Sequence, residues 1–312
     1  MKRKVDKNQL NIFDLMVDFK DFTFTHKYQR HLRKMFFSLS PKRPDIEAVK
    51  MAKPKNLLLA YATWKNQKGK YKLSTFIESL WAEGYRPTII LDSGAYSFSN
   101  QDIDISLADY REGIEDTFER ELSVEELALD YLYSQYHGGV DLEDEDQDVE
   151  ILNYINYIYQ NSKYIDYVVS LDHFVDSKVS LENFKFFKAI GIKSMPTFHI
   201  GEDYSVLDEY IKLGADNIGL GGTVPIKLSG GKGVNSIIIS WVNNTLIKYP
   251  NIKFHLFGCQ DPKILNHCLE SLYSSDGAAW IISAGNKYDR KIGIEHKVRL
   301  AVRNIELKEC AI

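Results

Sequence analysis

Residues 88–98 read TIILDSGAYSF. Thr88 to Leu91 have the apolar character of a buried strand, and the run ends on a carboxylate, Asp92, followed by Ser93 and Gly94. Asp-Ser-Gly is ordinary turn chemistry: Asp and Ser bond nearby amides, and Gly accepts a positive φ. It is equally what a parallel-sheet enzyme uses where it places reacting groups, at the C-terminal ends of its strands. The two readings separate only if other strands end in the same way.

From about residue 55 short apolar runs alternate with longer amphipathic ones. Strands are predicted over NLLLAYA (56–62), TIILD (88–92), YVVSLD (167–172), SMPTFHI (194–200), NIGLGG (217–222), KFHLFG (253–258) and AAWIIS (278–283). Helices are predicted over STFIESLWAEG (74–84), SLENFKFFKAIG (180–191), DYSVLDEYIKLG (203–214), VNSIIISWVNNTLIKY (234–249) and DPKILNHCLESLY (261–273). Ser180, Asp203 and Asp261-Pro262 read as helix starts, and Gly84, Gly191 and Gly214 as helix ends. Regular strand–helix alternation means βαβ units and a mostly parallel sheet.

No G-x-G-x-x-G follows the first strand, which argues against a dinucleotide-binding doubly wound sheet. Seven strands in about 230 residues suit an eight-stranded barrel with one strand unrecognised. The expectation is a single (β/α)8 TIM barrel domain over residues 1–312. It carries a helical N-terminal extension over residues 1–50, including the basic helix KYQRHLRKMFF, and a helical insertion after the second recognised strand, between 102 and 166. The acidic run DLEDEDQD (141–148) within that insertion reads as a solvated loop, because tight cation sites space their carboxylates.

Hydrophobic content of 44% and charged content of 26% are those of a soluble globular protein. A net charge of −4 excludes a general polycation, leaving only local basic surfaces for nucleic acid. Cys259, Cys268 and Cys310 lack paired spacing, which fits a reducing interior. With His267 they fall short of the closely paired ligands of a zinc site, so no metal is expected. The start MKRKVDKNQL lacks an apolar core, and no run approaches the roughly 18 apolar residues of a membrane span. A cytoplasmic protein with no membrane partner is expected.

The other strands do end in chemistry. YVVSLD closes on Asp172, SMPTFHI carries Thr197 and His199, NIGLGG closes on Gly221-Gly222, KFHLFG carries His255, and SSDG places Asp276 near the last strand. In a barrel these meet at one mouth. Glycines at a strand end let a flat group approach the backbone. A carboxylate such as Asp172 accepts two N–H groups from a guanine-like edge. Two further aspartates divide covalent chemistry at a sugar carbon, one as nucleophile and one as proton shuttle, as in retaining glycoside cleavage.

In that order and spacing, LDSGAYSF, SLDHF, PTFHIGED, IGLGG, FHLFG and SSDGAAW resemble the tRNA-guanine transglycosylase superfamily. The chain is most similar to its phage branch, the DNA guanine transglycosylases that insert 7-deazaguanines into DNA. The resemblance runs from about residue 55 to 290 and rests on the ordered set of motifs. It implies a TIM barrel, with Asp276 attacking C1′ to expel guanine and Asp92 handling protons during exchange. Asp172 would read the amino and imino edge of the base, which would lie against Gly221 and Gly222, with His199 near a polar base-contacting position. Base exchange conserves bond energy, so no cofactor is implied. Three departures stand out. The cysteine-rich zinc cluster of the tRNA enzymes is absent, Asp276 is followed by GAAWIIS instead of a Pro-Thr-Arg-like segment, and Gly94-Ala95 replaces a glycine pair. They favour DNA over tRNA as the polymer.

Duplex DNA would have to present a flipped-out guanine, which calls for local basic surfaces. Lys227 and Lys232 in KLSGGKG, Lys287 and Arg290 in NKYDRK, and Lys27, Arg30, Arg33 and Lys34 of the basic helix are the candidates. The alternatives are a tRNA-guanine transglycosylase, a TIM-barrel hydrolase of small glycosides or nucleosides, and a non-catalytic nucleic-acid-binding relative. The sequence leaves open which deazaguanine is inserted, the sequence context and the oligomeric state.

Overall fold

The structure, a computed structural model, describes residues 33–101, 103–137, 149–286 and 293–310. Nine parallel strands form one sheet: β1 (Lys34–Leu39), β2 (Asn56–Ala60), β3 (Thr88–Asp92), β4 (Tyr167–Val169), β5 (Ser194–Met195), β6 (Thr197–His199), β7 (Asn217–Gly221), β8 (Lys253–Leu256) and β9 (Ser274–Gly277). Their order is β5-β4-β3-β2-β1-β9-β8-β7-β6. The two ends of that order, β5 and β6, are consecutive in the chain and separated only by Pro196. The Met195 carbonyl accepts from the Ser170 amide at 3.0 Å on one side, and the Pro196 carbonyl accepts from the Gly219 amide at 2.8 Å on the other. Residues 194–199 thus act as one strand bridging β4 and β7, and the expected eight-stranded (β/α)8 barrel closes through them.

The unrecognised strand is β1, and this corrects the helical N-terminal extension. KMFFSL is not the end of a basic helix but a buried strand, paired with β2 and β9. Two aromatic side chains on successive residues explain why: Phe36 faces the barrel interior and Phe37 the helical layer, so both sides are buried. The first described helix follows, Arg43–Ala52. Arg33 anchors the entry to β1. Its guanidinium donates to the carbonyls of Leu265 (2.7 Å), Leu269 (3.2 Å), Cys268 (3.3 Å) and Leu272 (3.3 Å).

The last strand is also corrected. AAWIIS is helical, within Ala279–Asn286, and the strand is the preceding SSDG, so Asp276 lies inside β9. Four polar or small residues hold a strand there because β1 and β8 flank them. Helix boundaries shift for local reasons. The helix predicted from Ser180 begins at Ser177, because Asp176 accepts from the Lys178 and Val179 amides. The helix after Asp261 stops at Leu265, where the Arg33 guanidinium takes the carbonyls that a longer helix would use.

Alternation along the strands positions the site. Phe36, Leu58, Ile90, Val169 and Met195 form a small apolar layer inside the barrel. On the first three strands the residue two positions further, sharing the same inward face, is Ser38, Ala60 or Asp92, and each of these lines a cavity above the layer. Outside the sheet, two larger apolar clusters bury the helices. One belongs to the predicted insertion, whose helices Ala108–Phe118, Val124–His137 and Glu150–Asn161 pack over β3 and the helix Ser177–Ala189. The acidic run at 141–148 lies outside the described residues. No helix among the described residues is long and apolar enough to cross a membrane.

Candidate active site

The opening turn serves both readings at once. Gly94 adopts φ +81°, and a β-carbon there would lie 2.5 Å from Ala62 Cβ, so only glycine turns the chain this close to the end of β2. Its amide donates to Asp92 Oδ2 at 3.2 Å. Ser93 looks the other way and donates to Asp172 Oδ1 at 3.3 Å. Below them the buried Tyr154 hydroxyl reaches the carbonyls of Val169 (2.8 Å) and Leu91 (3.3 Å), tying together the strands that carry the two aspartates.

Asp92, Asp172, His199, Gly221, Gly222 and Asp276 all line one cavity of about 390 Å³ at the C-terminal ends of the strands. That volume lies in the range of small-molecule sites. Ser38, Tyr96, Phe174 and Phe257 line it too. These four were not singled out from the sequence: Ser38 belongs to the unrecognised strand, and the aromatic residues sat within quoted motifs without a role.

Asp276 is held by three donors. Its Oδ2 accepts from the Ser38 hydroxyl at 2.6 Å, and its Oδ1 accepts from the Gly258 amide at 2.8 Å and lies 3.3 Å from His255 Nε2. His255 is fully buried, with its ring edge-on to Phe36 and Phe257, and its Nδ1 lies 2.8 Å from the Ser274 hydroxyl. The tautomer with the proton on Nε2 gives Asp276 a donor and leaves Nδ1 to accept from Ser274.

Asp92 has a different environment. Burial above all, then the charges of Asp172 and Asp276, push it up to about 8 against the pull of the Gly94 and Ser93 amides. At neutral pH it therefore holds a proton while facing the same cavity as Asp276. A protonated acid and an oriented carboxylate in one cavity are the two partners that retaining transfer at a sugar carbon requires.

Asp172 Oδ2 lies 3.0 Å from His199 Nε2, and Glu202 Oε1 lies 3.5 Å from His199 Nδ1. Burial alone would lower His199, but bonding to Asp172 and Glu202, and their charges, outweigh it and raise the imidazole to about 9. Glu202 also accepts the His199 amide at 2.7 Å. The i, i+3 spacing of His199 and Glu202 was the signal for this residue, and it went unread. Gly221, which lines the cavity, also has a steric reason to be glycine. A β-carbon there would lie 2.7 Å from both His199 Cδ2 and Thr197 Cγ2, so its missing side chain makes room for the wall itself.

The basic candidates fare unevenly. Lys232 is exposed in the loop after β7. Lys227 turns inward, its Nζ 3.4 Å from Cys259 Sγ. Arg33 and Lys34 lie at the N-terminal end of β1, away from the cavity. Arg33 is spent on four carbonyls, and Lys34 sits over the Tyr273 ring, so neither serves the mouth. Lys27, Arg30, Lys287 and Arg290 lie outside the described residues. Cys259 and Cys268 are buried free thiols, Cys268 pushed up to about 12 by burial, and Cys310 is an exposed one. Among the described residues no three His, Cys, Asp or Glu side chains converge as a metal centre.

No protein-family model matches the chain, and no curated protein matches it.

Proposed function

We propose that this chain is a base-exchange glycosyltransferase that replaces guanine in DNA by a 7-deazaguanine through a covalent aspartyl-nucleotide intermediate. The reading is supported above all by Asp92 and Asp276 sharing one cavity in opposite states of readiness: Asp92 protonated at neutral pH, Asp276 oriented by three donors. A carboxylate oxygen of Asp276 attacks C1′ of the extruded nucleotide while the C1′–N9 bond breaks. The departing guanine takes its proton from Asp92. An incoming 7-deazaguanine then returns its N9 proton to Asp92, its nitrogen bonds C1′, and Asp276 leaves as a carboxylate. Two inversions preserve the anomeric configuration, and the proton balance closes without a cofactor.

The base fits the remaining walls. Asp172 keeps lone pairs beyond those directed at Ser93 and His199, enough to accept from the N1 and N2 hydrogens of a guanine edge. Tyr96 and Phe257 line the cavity and would supply aromatic contact to a planar ring. The test is transfer of labelled guanine into duplex DNA and, in parallel, into unmodified tRNA, with Asp276→Ala as control. Label entering DNA, lost in the variant together with any protein–nucleotide adduct, is the expected result. Label entering tRNA alone would move the reading to the tRNA branch. Release of base from free nucleosides, with no label entering either polymer, would replace it by a small-substrate hydrolase.

A further inference from the structure

The mouth of the barrel is electrically lopsided. The loop after β1 carries Lys42, and the loop after β2, residues 65–72, reads KNQKGKYK with Lys68, Lys70 and Lys72 and no acidic residue. All four lysines are exposed. Among the described residues none has a carboxylate within ion-pair distance, and Lys70 has a ring contact, with Tyr71. The two loops are neighbours because β1 and β2 pair up to Leu39 and Leu59. On the far side of the mouth the segments after β4 and β6 carry Asp176, Glu202 and Asp203.

At the opposite end of the barrel Lys55 is exposed and without an ion pair among the described residues, but most of its neighbours are neutralised or stacked. Lys50 pairs with Glu83 (2.6 Å), Lys193 with Asp216 (3.0 Å) and Lys163 with Glu78 (3.3 Å), while Arg86 lies over the Trp81 ring and Lys253 over Tyr273. Lys42, Lys68, Lys70 and Lys72 are thus the densest group of exposed lysines about the cavity in a chain of net charge −4, whereas Lys178, Lys232 and Lys263 stand singly after β4, β7 and β8. The four are also close to the cavity. Ser38 and Ala60 line the cavity, Ala62 packs on Gly94, and Lys42 follows Ser38 by four residues, at most about 14 Å of chain.

We infer that Lys42, Lys68, Lys70 and Lys72 form a rim that binds the phosphodiester backbone of the nucleic acid whose nucleotide enters the cavity. This rests on the base-exchange reading, and it names the surface by which a polymer, instead of a free nucleoside, is held. Four point charges without acceptors track a polyanion and read no sequence. Phosphate neutralisation releases counterions, so the rim has a measurable signature: log K falls with log salt by about 0.9 for each phosphate contacted on duplex DNA.

The test is fluorescence anisotropy of a labelled duplex oligodeoxynucleotide and of an unmodified tRNA transcript across a salt series. Wild type is compared with Lys42→Ala/Lys68→Ala/Lys70→Ala/Lys72→Ala and with a control, Lys163→Ala/Lys193→Ala/Lys253→Ala, at the other end. The expected result is a slope shallower by about 3 to 4 for the rim variant and affinity at least about 100-fold weaker at low salt, with the control like wild type. The polymer that shows the drop is the one held. Should the quadruple variant melt early, Lys68→Ala/Lys70→Ala, with a slope shallower by about 2, decides the matter. Equal slopes for rim variant and wild type, no oligonucleotide binding by wild type, or binding only to phosphatidylserine vesicles would overturn the rim. Labelled-guanine transfer run alongside separates the two readings. Rim-dependent binding without transfer removes only the catalytic reading, and transfer into DNA with an unaltered slope removes only the rim.

Discussion

Two walls of the cavity carry an aspartate against a buried histidine, and the histidines differ in what stands behind them. Behind His199 is Glu202, a second carboxylate, and the imidazole between two acids is raised to about 9. Behind His255 is the Ser274 hydroxyl, which orients a ring without supplying a negative charge. Asp172 thus has a cation for company, whereas Asp276 is also held by the neutral Ser38 hydroxyl and Gly258 amide. On the base-exchange reading the same pair of residue types does two jobs. Charge compensation suits a carboxylate that must stay put and read a base edge. Orientation by neutral donors suits one that must give up its charge to a sugar carbon.

Asp92 stands between these walls, and removing it tests the division most severely. Asp92→Asn keeps the shape and deletes the transferable proton, so transfer of labelled guanine should fall by about 100- to 10,000-fold. Wild-type activity should decline above about pH 8 as Asp92 loses its proton, and that limb should vanish in the residual activity of the variant. The effect on stability has a definite sign. The folded-state value of Asp92 is raised, so its contribution is full below its ordinary 3.8 and is lost as pH rises through about 8, by up to about 1.4 kcal/mol per pH unit. Urea melts should show Asp92→Asn gaining on wild type from pH 5 to 8 and no further above. A constant difference across that range would mean that the carboxyl is not held protonated.

A smaller effect is expected where the comparison is sharpest, at Glu202. Glu202→Gln keeps an acceptor for the His199 amide but withdraws the second negative charge. His199 should then titrate below about 9, read directly from its imidazole resonances. On the base-exchange reading a weakened cation leaves Asp172 a poorer reader of the base, and KM for the incoming base should rise about tenfold while kcat changes little. Because the raised His199 contributes stability that is lost as pH rises through about 9, the variant should be less stable than wild type at pH 6 to 8. An unmoved titration would transfer the whole shift to Asp172 and leave Glu202 a backbone anchor.

The strands that announced themselves were those whose apolar run stops on a functional residue, TIILD foremost, because burial and chemistry sit on adjacent letters. Where the two walls were concealed, the cause was tertiary. SSDG has no side chain that favours a strand, and its conformation comes from β1 and β8 on either side. KMFFSL follows a basic run and carries two adjacent aromatics, a pattern with no period of two, since both faces are buried. Missing β1 hid Ser38, and with it one of the three donors to Asp276. Gly221 meets a demand that its motif did not show. Its glycine is demanded by His199 and Thr197 across the β6–β7 pairing, a contact between neighbours that are not adjacent in sequence.

The mildest substitution is the one that asks whether orientation alone matters on the Asp276 wall. Ser274→Ala deletes the partner of His255 Nδ1 and leaves Asp276 the donors from Ser38 and Gly258. One buried hydrogen bond contributes about 1 kcal/mol, so kcat should fall by about fivefold with KM unchanged. The freed imidazole can then place its proton on Nδ1, which turns a bare Nε2 toward the carboxylate. His255→Gln offers an amide hydrogen in place of Nε2–H without any tautomer to choose, and on that background Ser274→Ala should cost little more. Additive losses in the double variant would show that Ser274 acts on β9 itself, and a rise in KM would assign the pair to base binding. Non-additive losses confined to kcat would fix Ser274 as the residue that decides which nitrogen His255 turns toward Asp276.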